Sequence, residues 1–275
     1  GLHGVLLYNA TTRIPFIAVP PGNDGGGARV DFPVSLVDIM PTVLKLAGVE
    51  PPEDIDGIDL SPWVSPGTAP PEQPTRPVFI ESLYAYRHYG WAPQKALVTD
   101  EYKLIGSTTS ELYDAWDLGE TSNLAKDRTE VLAGLSQQLS SMTEAMVTSK
   151  SAAGKADLSE ERLAQLAALG YVTVTVDQDG PTEGLPDPVS RLPILKEVDK
   201  ARKAFQSGKL DEARERVEAV LAQEPNLVDI RNLQANIMLR SGDSEGALAA
   251  IRKLDEEHPS SQAKITMASI MVQRK

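Results

Sequence analysis

The sequence predicts an α/β unit carrying a small antiparallel sheet, followed by an all-α array of paired helices. Three observations carry this. Residues 1–49 read as an apolar run closed by prolines and then a segment with helical spacing. Four short strand candidates separated by turn residues lie between 78 and 114. From Leu192 onward the chain repeats with a period of 34 residues. A length of 275 residues with 41% hydrophobic content suits about two domains of ordinary size.

Ile14 to Val19 is a short apolar run closed by Pro20, Pro21 and Gly22, which predicts a buried strand ending in a turn. Asp38 is the expected N-cap of the next helix, with Pro41 in its first turn, where a missing N–H costs nothing. Apolar residues at 39, 40, 43, 44 and 47 follow, and Gly48 suits the position just past the helix end. Residues 50–77, rich in proline, read as an ordered surface excursion. The strand candidates are Val78–Ser82, Lys95–Thr99, Tyr102–Gly106 and Glu111–Asp114, joined as an antiparallel meander. Residues 129–147 read as an amphipathic helix able to cover that sheet.

A short helix from Glu160 to Leu169 is expected next, capped by Ser159, stapled by Leu158 and Leu163, and ended by Gly170. Residues 173–190 show no helical periodicity and are expected to be an extended linker crossed by few contacts. Beyond it, six pairs share the 34-residue offset: Ala201 and Ala235, Gly208 and Gly242, Ala213 and Ala247, Val217 and Ile251, Val220 and Leu254, Pro225 and Pro259. Alanine lets two antiparallel helices approach closely, and glycine permits the tight turn between them. That pattern is the tetratricopeptide repeat, here two copies plus a first helix over 260–275. The expected organisation is therefore 1–150, a helix and linker over 151–190, and repeats over 191–275.

Charge is unevenly spread. The net charge is −12. Residues 191–275 carry 15 Lys/Arg and 13 Asp/Glu, so 12 basic and 26 acidic residues fall in 1–190. A field of that sign opposes nucleic-acid binding, and no nucleic-acid partner is expected. The absence of cysteine excludes disulfides and thiolate metal sites.

The N-terminal stretch resembles the C-terminal part of the sulfatase catalytic domain, in the alkaline phosphatase superfamily. The residues that carry the resemblance are His3-Gly4 with Leu7-Tyr8, then Arg13 to Ile17 and Pro21-Gly22. Pro33 to Thr42 and Leu46-Ala47-Gly48 continue it. Asp54 to Leu60, Glu111 to Asp114 and Asn123-Leu124-Ala125 extend it to the tail, where Asp117-Leu118-Gly119-Glu120 stands in place of the more usual Asp-Pro-x-Glu. The resemblance implies the C-terminal part of an α/β sandwich with a smaller sheet subdomain. It also implies sulfate-ester hydrolysis by a formylglycine nucleophile beside calcium or another divalent cation, in a periplasmic or membrane-associated setting. The chain has neither the Cys/Ser-x-Pro-x-Arg nucleophile signature nor the family's Asp-Asp and Asp-His-Gly metal segments. A fragment without turnover of its own is therefore expected. A phosphatase or phosphonate-ester hydrolase of the same superfamily stays open, because the nucleophile distinguishes them.

Candidate site residues follow from the resemblance and from residue chemistry. His3 is the expected catalytic residue. The resemblance places it against the sulfate group, and imidazole can hand a proton to a leaving oxygen near neutral pH. His88 and Trp91, in an aromatic-rich loop from Ser82 to Trp91 between strand candidates, are candidate substrate-binding residues, with packing of the subdomain against the main sheet by Trp91 and the tyrosines as the alternative. The repeats are expected to hold a peptide or protein partner. No metal ligand is expected in this chain. Asn23 to Gly27 lacks the Gly-Lys-Ser/Thr of a phosphate loop. Asp54, Asp56 and Asp59 lack EF-hand spacing, and Asp255 to Glu257 reads as a solvated helix end.

Overall fold

A computed structural model describes residues 4–19, 29–64, 72–150, 182–257 and 261–273. The expected helix over 160–169, most of the linker, and the glycine stretch 23–27 lie outside the described residues. The elements in order are α1 (Asn9–Thr12), α2 (Ile39–Leu46), α3 (Ser61–Val64), β1 (Val78–Ser82) and α4 (Tyr84–Tyr89). β2 (Gln94–Val98), β3 (Tyr102–Gly106), β4 (Glu111–Asp114) and α5 (Thr129–Lys150) follow. The repeats are α6 (Leu192–Gln206), α7 (Leu210–Gln223), α8 (Val228–Arg240), α9 (Ser244–Glu257) and α10 (Ser261–Gln273).

The sheet is a four-stranded antiparallel meander in the order β1-β2-β3-β4. Its register pairs Leu97 with Leu104 and Leu104 with Leu112, so the period-2 alternation puts one leucine of each strand on the same face. That face packs on Leu139 of α5. The opposite face presents Ala96, Ile105 and Tyr113 to Leu7 and Tyr8. The sheet is thus covered by the long helix on one side and by the N-terminal segment on the other.

The N-terminal expectations need two corrections. Residues 14–19 form no strand, and Ile17 is 83% exposed. A short apolar run looks the same whether it pairs or not, and this one meets no strand partner among the described residues. Asp38 stands at the N-cap position of α2, but its side chain makes no cap bond there. It closes instead a reciprocal capping box with Ser35 around the 3-10 turn Leu36–Asp38 that leads into α2. Asp38 is wholly buried, and both its oxygens accept from Arg76 Nη2 at 2.7 Å. It also accepts from the backbone N–H groups of Ser35 (2.8 Å) and Ile58 (2.9 Å). Four donated bonds to a buried carboxylate tie the start of the helix to the 54–60 connector.

Gly57 makes that crossing possible. A Cβ built there would stand 2.0 Å from the Val37 carbonyl oxygen, which is backbone and cannot swing away. Gly57→Ala should therefore push the connector off the helix and weaken the Ile58 N–H to Asp38 bond, at a cost of about 1–3 kcal/mol. A urea midpoint equal to that of wild type would show that the crossing yields without cost.

The repeats form as their spacing predicts. Ala201, Ala213, Ala235 and Ala247 are all fully or nearly fully buried. Gly208 and Gly242, with φ of 76° and 90°, make the turns after α6 and α8, where a side chain would be strained. Residues 182–190 do not behave as a hinge. Pro186 accepts from the Ala92 N–H (2.9 Å), and Asp187 accepts from Thr108 Oγ1 (3.0 Å) and the Thr109 N–H (3.2 Å). Val5, Leu6, Ala85, Tyr89 and Trp91 share one apolar cluster with Leu195, Val198, Val217 and Ile230 of the repeats. The expectation of few crossing contacts fails because the first repeat has an apolar face that the sheet subdomain can cover.

Candidate functional site

Two polar clusters hold the N-terminal segment in place. In the first, Lys103 points from β3 toward α1, on the face of Ile105, where the alternation calls for an apolar side chain. Its Nζ donates to Glu120 Oε1 (2.7 Å), Asn9 Oδ1 (3.0 Å) and Thr12 Oγ1 (3.2 Å). Glu120 Oε2 accepts from the Asn9 N–H at 2.6 Å. Both charged side chains are almost wholly buried. Burial lowers the lysine pKa, and Glu120 opposes that shift. Glu120 sits at φ 50°, the one non-glycine with positive φ among the described residues. Asp117 holds the turn by accepting from the Thr121 (2.8 Å) and Ser122 (3.1 Å) N–H groups, which lower its pKa, the Ser122 bond most. Nearby, Tyr8 and Tyr113 both donate to Glu111 Oε2 (2.9 Å), and burial first, then that carboxylate, raises both phenol pKa values.

The second cluster lies where the sheet subdomain meets the repeats. The stretch read as a loop contains a short helix, α4, which ends at Gly90 in the left-handed region (φ 69°). Tyr84 stacks on His88, with ring centroids 4.1 Å apart and planes at 24°. Tyr89 leans on Trp91 at 4.7 Å. His88 is 6% exposed and Trp91 1%. His88 Nδ1 stands 3.3 Å from Asp229 Oδ2, and Arg202 Nη2 stands 3.2 Å from the same oxygen. Asp229 begins α8 and Arg202 lies on α6, so the repeats supply both partners. Burial tends to lower the Arg202 pKa, but Tyr89, Asp229 and Tyr84 raise it overall. The Tyr89 phenol pKa is raised, chiefly by burial.

His3 lies outside the described residues. The structure therefore describes its neighbour Gly4, which accepts a hydrogen bond from Ser82 Oγ. His88 and Trp91 are brought together with each other, but inside the junction and against the repeats. The surface they pack against is the helical repeats rather than a main sheet. Sequence reasoning passed over Lys103, Glu120, Arg202 and Asp229. A lysine at an inward strand position was the available signal for the first. The others depend on contacts across long stretches of chain that no local pattern records. Among the described residues, no group of three or more His, Asp or Glu side chains could hold a metal ion.

A small antiparallel sheet backed by a long helix, followed by an array of paired helices, is the architecture of a sulfatase-type C-terminal subdomain joined to tetratricopeptide repeats, and the sequence matches assign both parts. Residues 3–145, just over half of the chain, match the family described as N-sulphoglucosamine sulphohydrolase, C-terminal, and the chain belongs to that family. Residues 204–270 match a tetratricopeptide repeat family. An uncharacterized sulfatase of Escherichia coli K12, YidJ, is 35% identical over 131 residues, covering 45% of this chain and 24% of that protein. Human arylsulfatase K is 31% identical over 145 residues, 50% of this chain and 26% of its own. A solved 2-O GAG sulfatase aligns at 28% identity over 41% of this chain and 24% of its own, with a TM-score of 0.32. The chain spans about a quarter of the length of the curated relatives it matches.

Proposed function

We propose that this chain supplies the C-terminal part of a hydrolase of sulfate esters, with His3 at the substrate. The family match over residues 3–145, opening at His3-Gly4, is the observation that carries this reading. An apolar surface supports it. Ile14, Ile17, Val19, Leu36, Met40 and Val43 are all exposed, and that many open apolar side chains in the N-terminal segment suit packing against the rest of such a hydrolase. The net reaction consumes water and breaks the S–O bond to the alcohol, giving alcohol and sulfate. His3 would donate the proton that the leaving oxygen takes up. The family resemblance implies a divalent cation and a formylglycine. With no Cys/Ser-x-Pro-x-Arg signature in the chain, the formylglycine is not assigned to this part of the molecule.

The test is hydrolysis of an aryl sulfate with calcium present. The full-length protein should release phenol, and this chain by itself should release no more than buffer does. In the full-length protein, His3→Ala should lower turnover by about 10²-fold or more. Unchanged kinetics would remove His3 from the site. An aryl phosphate cleaved faster than the sulfate would move the reading to phosphoryl transfer. A peptide or protein partner would bind the repeats away from the junction, at a cleft of about 330 Å³ whose lining includes Leu221, Asn226, Gln234 and Lys253.

A further inference from the structure

We propose that the face formed by α6 and α8 is a peptide-binding groove whose ligand is the chain's own aromatic turn, Tyr84–Trp91. The repeats then clamp the sheet subdomain in cis, and that face is closed to an outside partner. The proposal is independent of the role given to His3. α6 and α8 are the first helices of successive repeats and touch each other, each packed on its own second helix, α7 or α9. Stacked repeats curve, and such a row of helices is the kind of extended surface on which these arrays take ligands. Here the surface is filled. α4 lies against α8. Ala85, Tyr89 and Trp91 are buried in one cluster with Leu195 and Val198 of α6 and Ile230 of α8.

The two halves keep separate cores. Among the described residues, the buried strand side chains Leu97, Leu104 and Leu112 form one cluster, and Ala96, Ile105 and Tyr113 form another. Neither cluster includes a repeat residue. The sheet therefore closes its core without the repeats, and only Val5, Leu6 and the aromatic turn reach into them. The turn also has the build of a ligand. α4 is six residues long and reverses at Gly90, where the Gly90 N–H donates to the Tyr86 carbonyl (3.1 Å) and the Trp91 N–H to the Ala85 carbonyl (3.2 Å). The reversal sets Tyr84 and Tyr89 edge to face at 5.9 Å and Tyr89 against Trp91 at 4.7 Å. Rings held against one another have little rotamer freedom left to lose when they seat. Trp91 is fully buried, as the central anchor of a recognition surface is. The rim is polar: the Ala92 N–H donates to the Pro186 carbonyl, and Asp187 accepts from Thr108 and Thr109.

The experiment uses the full-length protein with a protease site inserted between residues 150 and 182. Cut wild type should elute from gel filtration as one species. Trp91→Ala should weaken the association of the cut halves about 30-fold or more, as loss of a central aromatic anchor does. Ala85→Arg, which places a long cation at a buried position of the turn and leaves the repeats unchanged, should do the same. In the uncut protein, a labelled peptide of residues 82–93 should bind Ala85→Arg at least about tenfold more tightly than wild type, whose groove is already occupied. Glu257→Gln, which breaks the Arg231–Glu257 pair elsewhere on the repeats, should change neither readout. Cut wild type that falls apart overturns the proposal, and so do variants whose halves stay joined as tightly as wild type. Peptide binding that is equal in the two uncut proteins, or absent from both, would mean a fixed junction rather than a filled groove, and overturns it as well.

Discussion

Glu120→Ala should cost about 3–5 kcal/mol, because it strands the buried ammonium of Lys103. The ion pair is 2.7 Å long, and neither side chain is more than 4% exposed. With the carboxylate gone, Lys103 keeps only Asn9 Oδ1 and Thr12 Oγ1, and the Asn9 N–H loses the oxygen it donates to at 2.6 Å. Lys103→Met together with Glu120→Ala should recover most of the loss, since it removes the stranded charge. Paired urea titrations would measure both. If the single variant loses less than about 1 kcal/mol, water reaches the site and the pair is a surface bridge in energetic terms.

Trp91→Ala should cost a similar amount, about 3–5 kcal/mol, and should change the form of the transition as well as its midpoint. Trp91 is buried in the cluster that joins Val5, Leu6 and Tyr89 to α6, α7 and α8. Its removal empties the centre of that junction. Calorimetry of wild type should show one cooperative transition. The variant should show two, with the helical signal at 222 nm lost ahead of the sheet. A variant that still melts in one step would mean that the Pro186 and Asp187 hydrogen bonds and the approach of His88 to Asp229 suffice to couple the halves.

Much of the architecture was legible because it is local. The spacing of strand candidates gave β1, β3 and β4 with their observed bounds, and β2 within one residue. Leu97, Leu104 and Leu112 each sit between side chains facing the other way, and that alternation is visible without a partner. The repeats were legible for the same reason, since a recurring alanine or glycine reports its own packing. What was missed depends on distant pairing. Asp38 was legible as the residue before α2, but its side chain turns back to Ser35, and no local pattern records the 3-10 turn that makes it do so. Tyr84 to Tyr89 offers no start signal, so α4 passed for a loop. The change in net charge at the end of the linker resembles a boundary between independent bodies, yet the apolar face of α6 already had a surface to meet. His88 illustrates the limit: nothing in its neighbouring sequence records that its ring is buried, with Asp229 3.3 Å away.

Pinning the array by its first three helices also settles where such a tail can vary. Every contact with the sheet subdomain described above comes from the segment leading into α6 and from α6, α7 and α8. Among the described residues, α9 and α10 pack along the solenoid, and Met271 near the far end of α10 is open to solvent. Helix pairs could accumulate or disappear at that end, each resting on the one before it, without disturbing a residue beside Gly4. Lineages carrying this arrangement would therefore be expected to keep these three helices nearly constant while the count of later ones drifts.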